Sequence, residues 1–446
     1  MDWDKIEITD EYKKAVDFLS KKTFKSRILF MSGKPGVGKS VFIKYITEVM
    51  RQQRKNIVKV AFTGAASLAV GGKTINSFFS IRVGIHDPFD VKYVGKNAKV
   101  MAKADLIVIE EASMVRADML DEISTKLKMA CGNNLPFGGK NILLAGDLFQ
   151  VRPILVKEEE KIYKMLGYDT PFFFGSKELQ ENGYSVVVLD NIYRQKDYQL
   201  KKVLNDIRVG ENLEEALNYL NENCYIDNIE ESERKERDVV LCAVNRRADV
   251  INHDRLVSLE GKEYEYEARI EGDFKGKVLS PELLKLKVGA QVMITKNDNE
   301  HDIYRNGDVC VVEQCGLSSI KVRRKFDSKQ ITIKRDIWES IEYKLEGGKI
   351  EEEVVGTYEQ FPLMLCWAFS VHKAQGMTLP SICIDIDRKE SFASGQVYVA
   401  LTRMTKIRGE NGSNEGLTLN KKLYPSMIIV DEEVVDYYKN IEDKLI

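Results

Sequence analysis

Gly33-Lys34-Pro35-Gly36-Val37-Gly38-Lys39-Ser40 is the stretch on which the fold turns, and it fits Gly-x-x-x-x-Gly-Lys-Ser/Thr at every fixed position. It follows the apolar run Ile28-Leu29-Phe30-Met31 and opens a helical stretch from Ser40 to Met50, so it reads as the turn between a buried strand and a helix. Glycines let the backbone bend until successive N–H groups face a phosphate, and the helix N-terminus adds positive potential. In that reading Gly33, Pro35, Gly36, Val37 and Gly38 form the cradle, Lys39 reaches the β and γ phosphates of a nucleoside triphosphate, and Ser40 binds magnesium. A glycine-rich turn without a ligand is the plain alternative, and the strand-before, helix-after context weighs against it.

Outward from this stretch, short apolar runs recur: Ile57 to Phe62, Leu106 to Ile109, Ile142 to Ala145, Val186 to Leu189, Val239 to Val244 and Met427 to Val430. Runs of this length alternating with longer amphipathic segments predict buried parallel strands of an α/β sheet. The run Leu106 to Ile109 ends in Glu110-Glu111-Ala112-Ser113. Beside a phosphate cradle, a carboxylate there can hold magnesium and its neighbour can align the attacking water, which assigns Glu110 to the metal and Glu111 to the base. A polar strand end is the other reading. Ile142 to Ala145 runs into Gly146-Asp147-Leu148-Phe149-Gln150, where Gln150 can sense the γ-phosphate and Asp147 can support the metal.

Between about 260 and 360 the texture changes to shorter alternating segments, Ile320 to Phe326 and Ile331 to Ile333 among them, and Gly347-Gly348 separates two strand-like runs. This predicts a small antiparallel barrel inserted into a second α/β unit. The 446 residues allow roughly two to four domains. Balanced charge, 67 Lys+Arg against 69 Asp+Glu, excludes disorder and also excludes nucleic-acid binding by a global positive field. No run is long and apolar enough to span a bilayer, and Met1-Asp2-Trp3-Asp4 lacks the order of a secretory signal, so a cytoplasmic location is expected, at a bacterial nucleoid or a viral replication site. The seven cysteines contain no CxxC pair and read as reduced structural thiols. Charge runs at 158–161 and 230–237 read as solvated loops or helix faces.

Taken in order, the cradle, Thr63-Gly64-Ala65-Ala66, Glu110-Glu111-Ala112-Ser113-Met114, Pro136-Phe137-Gly138-Gly139, Gly146 to Gln150, Tyr193-Arg194-Gln195, His372-Lys373-Ala374-Gln375-Gly376 and Tyr398-Val399-Ala400-Leu401-Thr402-Arg403 resemble the motifs of superfamily 1B DNA helicases. The resemblance covers residues 26–405 and is to the PIF (petite integration frequency) type, related to the Dda and RecD helicases. It implies an α/β protein of two RecA-like P-loop lobes, the first at 1–80 and 99–188 with a small wedge insertion at 81–98, the second at 189–258 and 359–446 with an SH3-like β-barrel inserted at 259–358.

ATP and Mg2+ would lie between the lobes, with Arg194, Gly376 and Arg403 contributed by the second. Single-stranded DNA would meet Thr63, Gly64, Asn76, Ser77 and Phe79 in the first lobe and His372 and Lys373 in the second. Phe79 and Trp367 could stack bases or be core; Lys321, Arg323, Arg324 and Lys325 could give the barrel a basic edge or a solvated strand face. The implied activity is 5′-to-3′ ATP-dependent unwinding of single-stranded, tailed or forked DNA, with G-quadruplex DNA a further candidate, by a monomer. The departures are Glu110 for Asp, Asn76 for His, Val151-Arg152-Pro153 for Leu-Pro-Pro, and no adenine-reading Gln near Asp10-Glu11-Tyr12. The competing reading, a nucleotide-switched remodelling ATPase acting on protein or RNA, predicts no second lobe.

Overall fold

The computed structural model describes residues 7–20, 26–82, 84–193, 195, 197–225, 239–274, 278–298, 303–347, 349–374, 377, 379, 381–389, 393–407 and 416–446. It divides into two units, one of Met1–Tyr193 with Ser340–Val355 and Glu432–Ile446, the other of Arg194–Glu339 with Gly356–Asp431.

The first unit is built on a six-stranded sheet of β1 (Ile28–Gly33), β2 (Ile57–Ala61), β3 (Lys73–Thr74), β4 (Leu106–Glu110), β5 (Asn141–Gly146) and β6 (Ser185–Leu189), in the order β3-β2-β4-β5-β1-β6. Every pairing is parallel. A parallel sheet is covered on both faces, which is why its strands are continuous apolar runs; all six residues of β1 are buried. On one face lie helices Asp10–Ser20 and Lys39–Gln52, packing Tyr12, Leu19, Phe42 and Ile46 against Leu29, Met31 and Val108. Each large side chain so buried contributes about 1.5–3 kcal/mol. The register pairs Ser32 with Gly146, Gly33 with Leu189 and Glu110 with Ala145, so the carboxyl ends of β1, β4 and β5 share one edge.

Two distant segments complete this unit, and both depart from the expected boundaries. Residues 340–355, expected in the barrel, dock by Tyr343, whose hydroxyl donates to Lys59 O and accepts from Lys59 N–H, each at 3.3 Å, and whose ring meets Phe78 edge-on at 5.8 Å. Residues 432–446, expected in the second lobe, form helix Glu432–Lys439, and Tyr437 there stacks on Phe174 at 4.6 Å and meets Phe30 at 6.3 Å. Aromatic burial decides their place.

The second unit has a four-stranded parallel sheet of β7 (Val239–Cys242), β18 (Ala368–Ser370), β19 (Ser381–Asp385) and β20 (Gly416–Leu419), ordered β18-β7-β19-β20. Met427 to Val430 is not a strand: Pro425–Met427 is a 3-10 turn, and Ile429 O accepts the Gly395 N–H and the Ser394 hydroxyl. Between β7 and β18 run β8 (Tyr264–Glu267), β9 (Arg269–Gly272), β10 (Leu283–Leu286), β11 (Gln291–Ile294), β12 (Val309–Cys315), β13 (Ser319–Arg324), β14 (Gln330–Lys334), β15 (Asp336–Glu346), β16 (Lys349–Gln360) and β17 (Leu363–Leu365). Five form an antiparallel sheet, β14-β13-β12-β11-β17, over a core of Val292, Val312, Ile320, Val322 and Phe361. Gly347, at φ 55, turns the hairpin between β15 and β16.

Trp367 packs into this core and offers no stacking face. Two of the four residues of the expected basic edge are paired with acids, Arg323 with Glu313 and Arg324 with Asp308 at 2.9 Å and Asp327 at 2.5 Å, while Lys325 donates to the neutral Gln291 Oε1 at 2.9 Å. Burial pushes the Cys310 thiol up to about 12. Residues 158–161 lie on helix Lys157–Met165, mostly exposed; 230–237 lie outside the described residues.

Candidate nucleotide site and nucleic-acid contacts

β1 ends at Gly33, and the chain turns through Gly36 (φ 85) and Gly38 (φ 95) into the helix that begins at Lys39. Both φ values belong to the left-handed region that glycine alone enters freely. A Cβ on Gly38 would lie 2.5 Å from the Tyr12 hydroxyl, and one on Gly33 2.6 Å from Val37 Cγ2. Tyr12 donates to Gly38 O at 2.7 Å, while the Tyr193 N–H donates to Gly36 O at 2.9 Å. A trans peptide directs its N–H opposite its carbonyl, so fixing the Gly38 carbonyl on Tyr12 fixes the Lys39 N–H on the far side. Burial and the neighbouring Tyr193 push the Tyr12 hydroxyl up to about 12, so it remains a donor. Lys39 Nζ donates to Gly33 O at 2.7 Å and Lys34 O at 3.1 Å, which holds the ammonium over the loop.

β4 delivers Glu110 to the same edge. Its carboxyl is pushed up to about 8, first by burial and then by Glu111, against Lys39, Lys44 and Lys59. Glu111 sits at φ 58, ψ 44, a strained conformation for a residue with a Cβ, of a kind that clusters at functional sites. Buried Ser113 Oγ has no partner among the described residues. β5 ends at Gly146, where a Cβ would lie 3.0 Å from Ala112 N, and leads to buried Asp147 and Gln150. The Ser40 hydroxyl and the Glu110 carboxylate are hard oxygen donors that suit magnesium, and the cation would supply the positive charge that Glu110 is short of. These residues fit the ion.

Three tyrosines here have roles that the sequence did not assign, although Tyr12 and Tyr193 stand in stretches quoted above. Tyr12 and Tyr193 brace the cradle. Tyr438, on the C-terminal helix, hydrogen-bonds to the Ser32 hydroxyl and stacks on Phe149 at 5.2 Å and 16°, tying the residue before the cradle to the Gly146–Gln150 segment. No local pattern announces Tyr438, because its partners lie hundreds of residues away.

In the second unit Arg403 is 1% exposed. Its guanidinium donates to Val399 O at 2.9 Å, Ala374 O at 3.3 Å, Met377 O at 3.4 Å and Thr402 Oγ1 at 2.7 Å. To bind a phosphate it must exchange some of these acceptors. Gln195 donates to Thr402 O at 3.3 Å and Met404 O at 3.0 Å, so the chain beside Arg194 is pinned to the Arg403 segment. Arg194, Gly376 and the His372 side chain lie outside the described residues.

Of the expected DNA contacts, Thr63 caps helix Gly64–Ala69 by accepting the Ala66 N–H at 3.2 Å. Asn76 Nδ2 donates to Ile81 O at 3.2 Å, and the Ser77 N–H donates to Thr74 Oγ1 at 3.2 Å. Phe79 is corrected: it is 0% exposed and packs edge-on against Phe78 at 4.8 Å, a core ring unable to stack on a base. Lys373, partly exposed, lies 3.7 Å from Asp249.

A glycine cradle, paired acids and a glutamine on one edge of a parallel sheet define a P-loop nucleoside triphosphatase of the RecA-like class. Residues 7–206 match the PIF1-like helicase family. The chain is 31% identical to Bacteroides sp. Pif1 crystallised with ADP-AlF4, covering 98% of each chain with a TM-score of 0.87. It is 31% identical to Bacteroides Pif1 bound to ssDNA, with 98% and 97% covered and a TM-score of 0.65. The ATP-dependent DNA helicase Pif1 of Campylobacter jejuni is 26% identical over 441 residues, 92% of this chain and 94% of that protein. This chain belongs to the PIF1-like helicase family.

Proposed function

We propose that this ATP-dependent DNA helicase moves 5′ to 3′ along single-stranded DNA, displaces the complementary strand from tailed or forked duplexes, and unfolds structured DNA such as G-quadruplexes. The observation that carries the reading is the gathering of Lys39, Glu110, Glu111 and Gln150 on one sheet edge. Lys39 neutralises the β and γ phosphates, Glu111 orients and deprotonates the attacking water, and Gln150 reports the γ-phosphate to the rest of the unit. Ser40 and Glu110 would hold magnesium, which would supply charge neutralisation at the phosphates. Arg194, Gly376 and Arg403 are the groups we assign from the second unit; an arginine there contributes about 10³ to 10⁵ in rate.

Thr63, Gly64, Asn76 and Ser77 form one set of backbone contacts and His372 with Lys373 the other, an arrangement that tracks phosphates without reading sequence. The antiparallel insertion serves as the family's SH3-like barrel, 81–98 as its wedge, and the protein works as a monomer in the cytoplasm. No described helix is long and apolar enough to cross a membrane. A second parallel sheet weighs against the remodelling ATPase, which needs none. The test is strand displacement with 5′- and 3′-tailed duplexes beside Lys39→Ala. Wild type should unwind the 5′-tailed substrate and Lys39→Ala neither, with DNA affinity retained. Unwinding of the 3′-tailed substrate alone would overturn the direction.

A further inference from the structure

Residues 81–97 form no helix or strand among those described, and Ile85 packs against the small cluster of Ala117, Tyr163 and Tyr168. A largely buried charged stripe also holds it by hydrogen bonds. On helix Ala117–Cys131, Asp118, Glu122 and Lys126 recur every four residues and therefore share a face. The Asp118 carboxylate accepts the His86 N–H at 2.9 Å, and Glu122 Oε2 meets His86 Nδ1 at 2.7 Å. Lys126 Nζ donates to Ser80 O at 3.1 Å and Tyr93 O at 3.0 Å, and pairs with Glu122 at 3.2 Å. Arg116, just before the helix, donates to Gly84 O at 2.7 Å, to Asp118 at 2.9 Å and to Glu159 at 3.0 Å.

The backbone is thus gripped at 80, 84, 86 and 93. Between the last two grips Phe89 is 80% exposed, and Tyr93, held by its backbone carbonyl at the last grip, is 65% exposed. Apolar side chains would anchor the segment with less desolvation, but hydrogen bonds to buried charges are directional and admit one backbone geometry.

We propose that Arg116, Asp118, Glu122 and Lys126 are positioning residues for strand separation, which hold segment 81–97 rigid so that its exposed aromatic face meets the duplex in one orientation. This rests on reading 81–98 as the wedge. The experiment uses the full chain with Lys126→Met, Lys126→Arg and Phe89→Ala, and follows ssDNA-stimulated ATP turnover, displacement from a 5′-tailed fork and amide exchange over 81–97. Lys126→Met should turn over ATP within about twofold of wild type, unwind at least about tenfold more slowly and exchange faster over 81–97. Lys126→Arg should recover most of the unwinding, and Phe89→Ala should slow unwinding with exchange unchanged. If Lys126→Met unwinds normally while Phe89→Ala does not, the positioning role is refuted and the wedge reading stands. If both unwind normally, the wedge reading fails and takes the proposal with it. An equal fall in turnover and unwinding for Lys126→Met makes the stripe a general support and overturns the proposal. Should Lys126→Met not fold, Arg116→Lys, which keeps the charge and removes the forked reach to Gly84, is judged by the same outcomes.

Discussion

At the end of β4 the Glu110 carboxyl is raised from 4.5 to about 8, by burial first and by Glu111 second. The folded protein therefore holds this proton more tightly than the unfolded chain. The resulting stability is complete below about pH 4.5 and is lost as pH rises through 8. In metal-free buffer at pH 8, Glu110→Gln should be more stable than wild type by on the order of 1–3 kcal/mol, with the gain vanishing near pH 4.5. Thermal melts at the two pH values decide it, and an equal shift at both refutes the assignment. The same variant should lose most ATP turnover. Phe79 supplies the opposite kind of test. As a core ring its loss in Phe79→Ala should cost about 3–5 kcal/mol. Phe79→Leu should keep ssDNA affinity within about twofold in an anisotropy titration, whereas a base-stacking ring would lose about 1–3 kcal/mol.

Among the elements, helix Glu432–Lys439 reaches the site through one ring, Tyr438 on Phe149. Tyr438→Ala should lower kcat for ATP several-fold with KM little changed, and Tyr438→Phe, which keeps the stack, should recover most of it; steady-state kinetics reads the difference. Thr63→Ala removes a helix cap and should cost about 1 kcal/mol, while Thr63→Ser keeps it. The central strands β1, β4 and β5 were legible because each apolar run leads straight into a chemical motif. Met427 to Val430 was misread because four apolar residues say that something is buried, not that a strand pairs there. The edge of the second sheet beside β19 is Gly416–Leu419, whose leading glycine and threonine dilute the apolar signal. Ion pairs that neutralise Arg323 and Arg324 are set by cross-strand register, which composition does not carry.

For the whole molecule, motif order was enough to give two parallel sheets with an antiparallel insertion, but not which late segments complete the first unit. Tyr343 and Tyr437 find their partners through long-range packing, and neither sits in a run that advertises it. A fragment of residues 1–193 should therefore melt well below the full chain, and joining 432–446 to it through a short linker should recover part of the loss, as calorimetry would report. No recovery would mean that the terminal helix is a passenger.

The docking of that helix has a consequence for how the molecule is made. Translation that stops anywhere between 193 and 432 yields a polypeptide holding the cradle, both acids and the glutamine, yet Phe149 and Phe174 lack the rings that cover them in the finished protein. Maturation of the nucleotide site is thereby tied to the synthesis of residues 432–446, and a product aborted before them is left with sticky aromatic surface, a mark for proteolysis, in place of an idling motor.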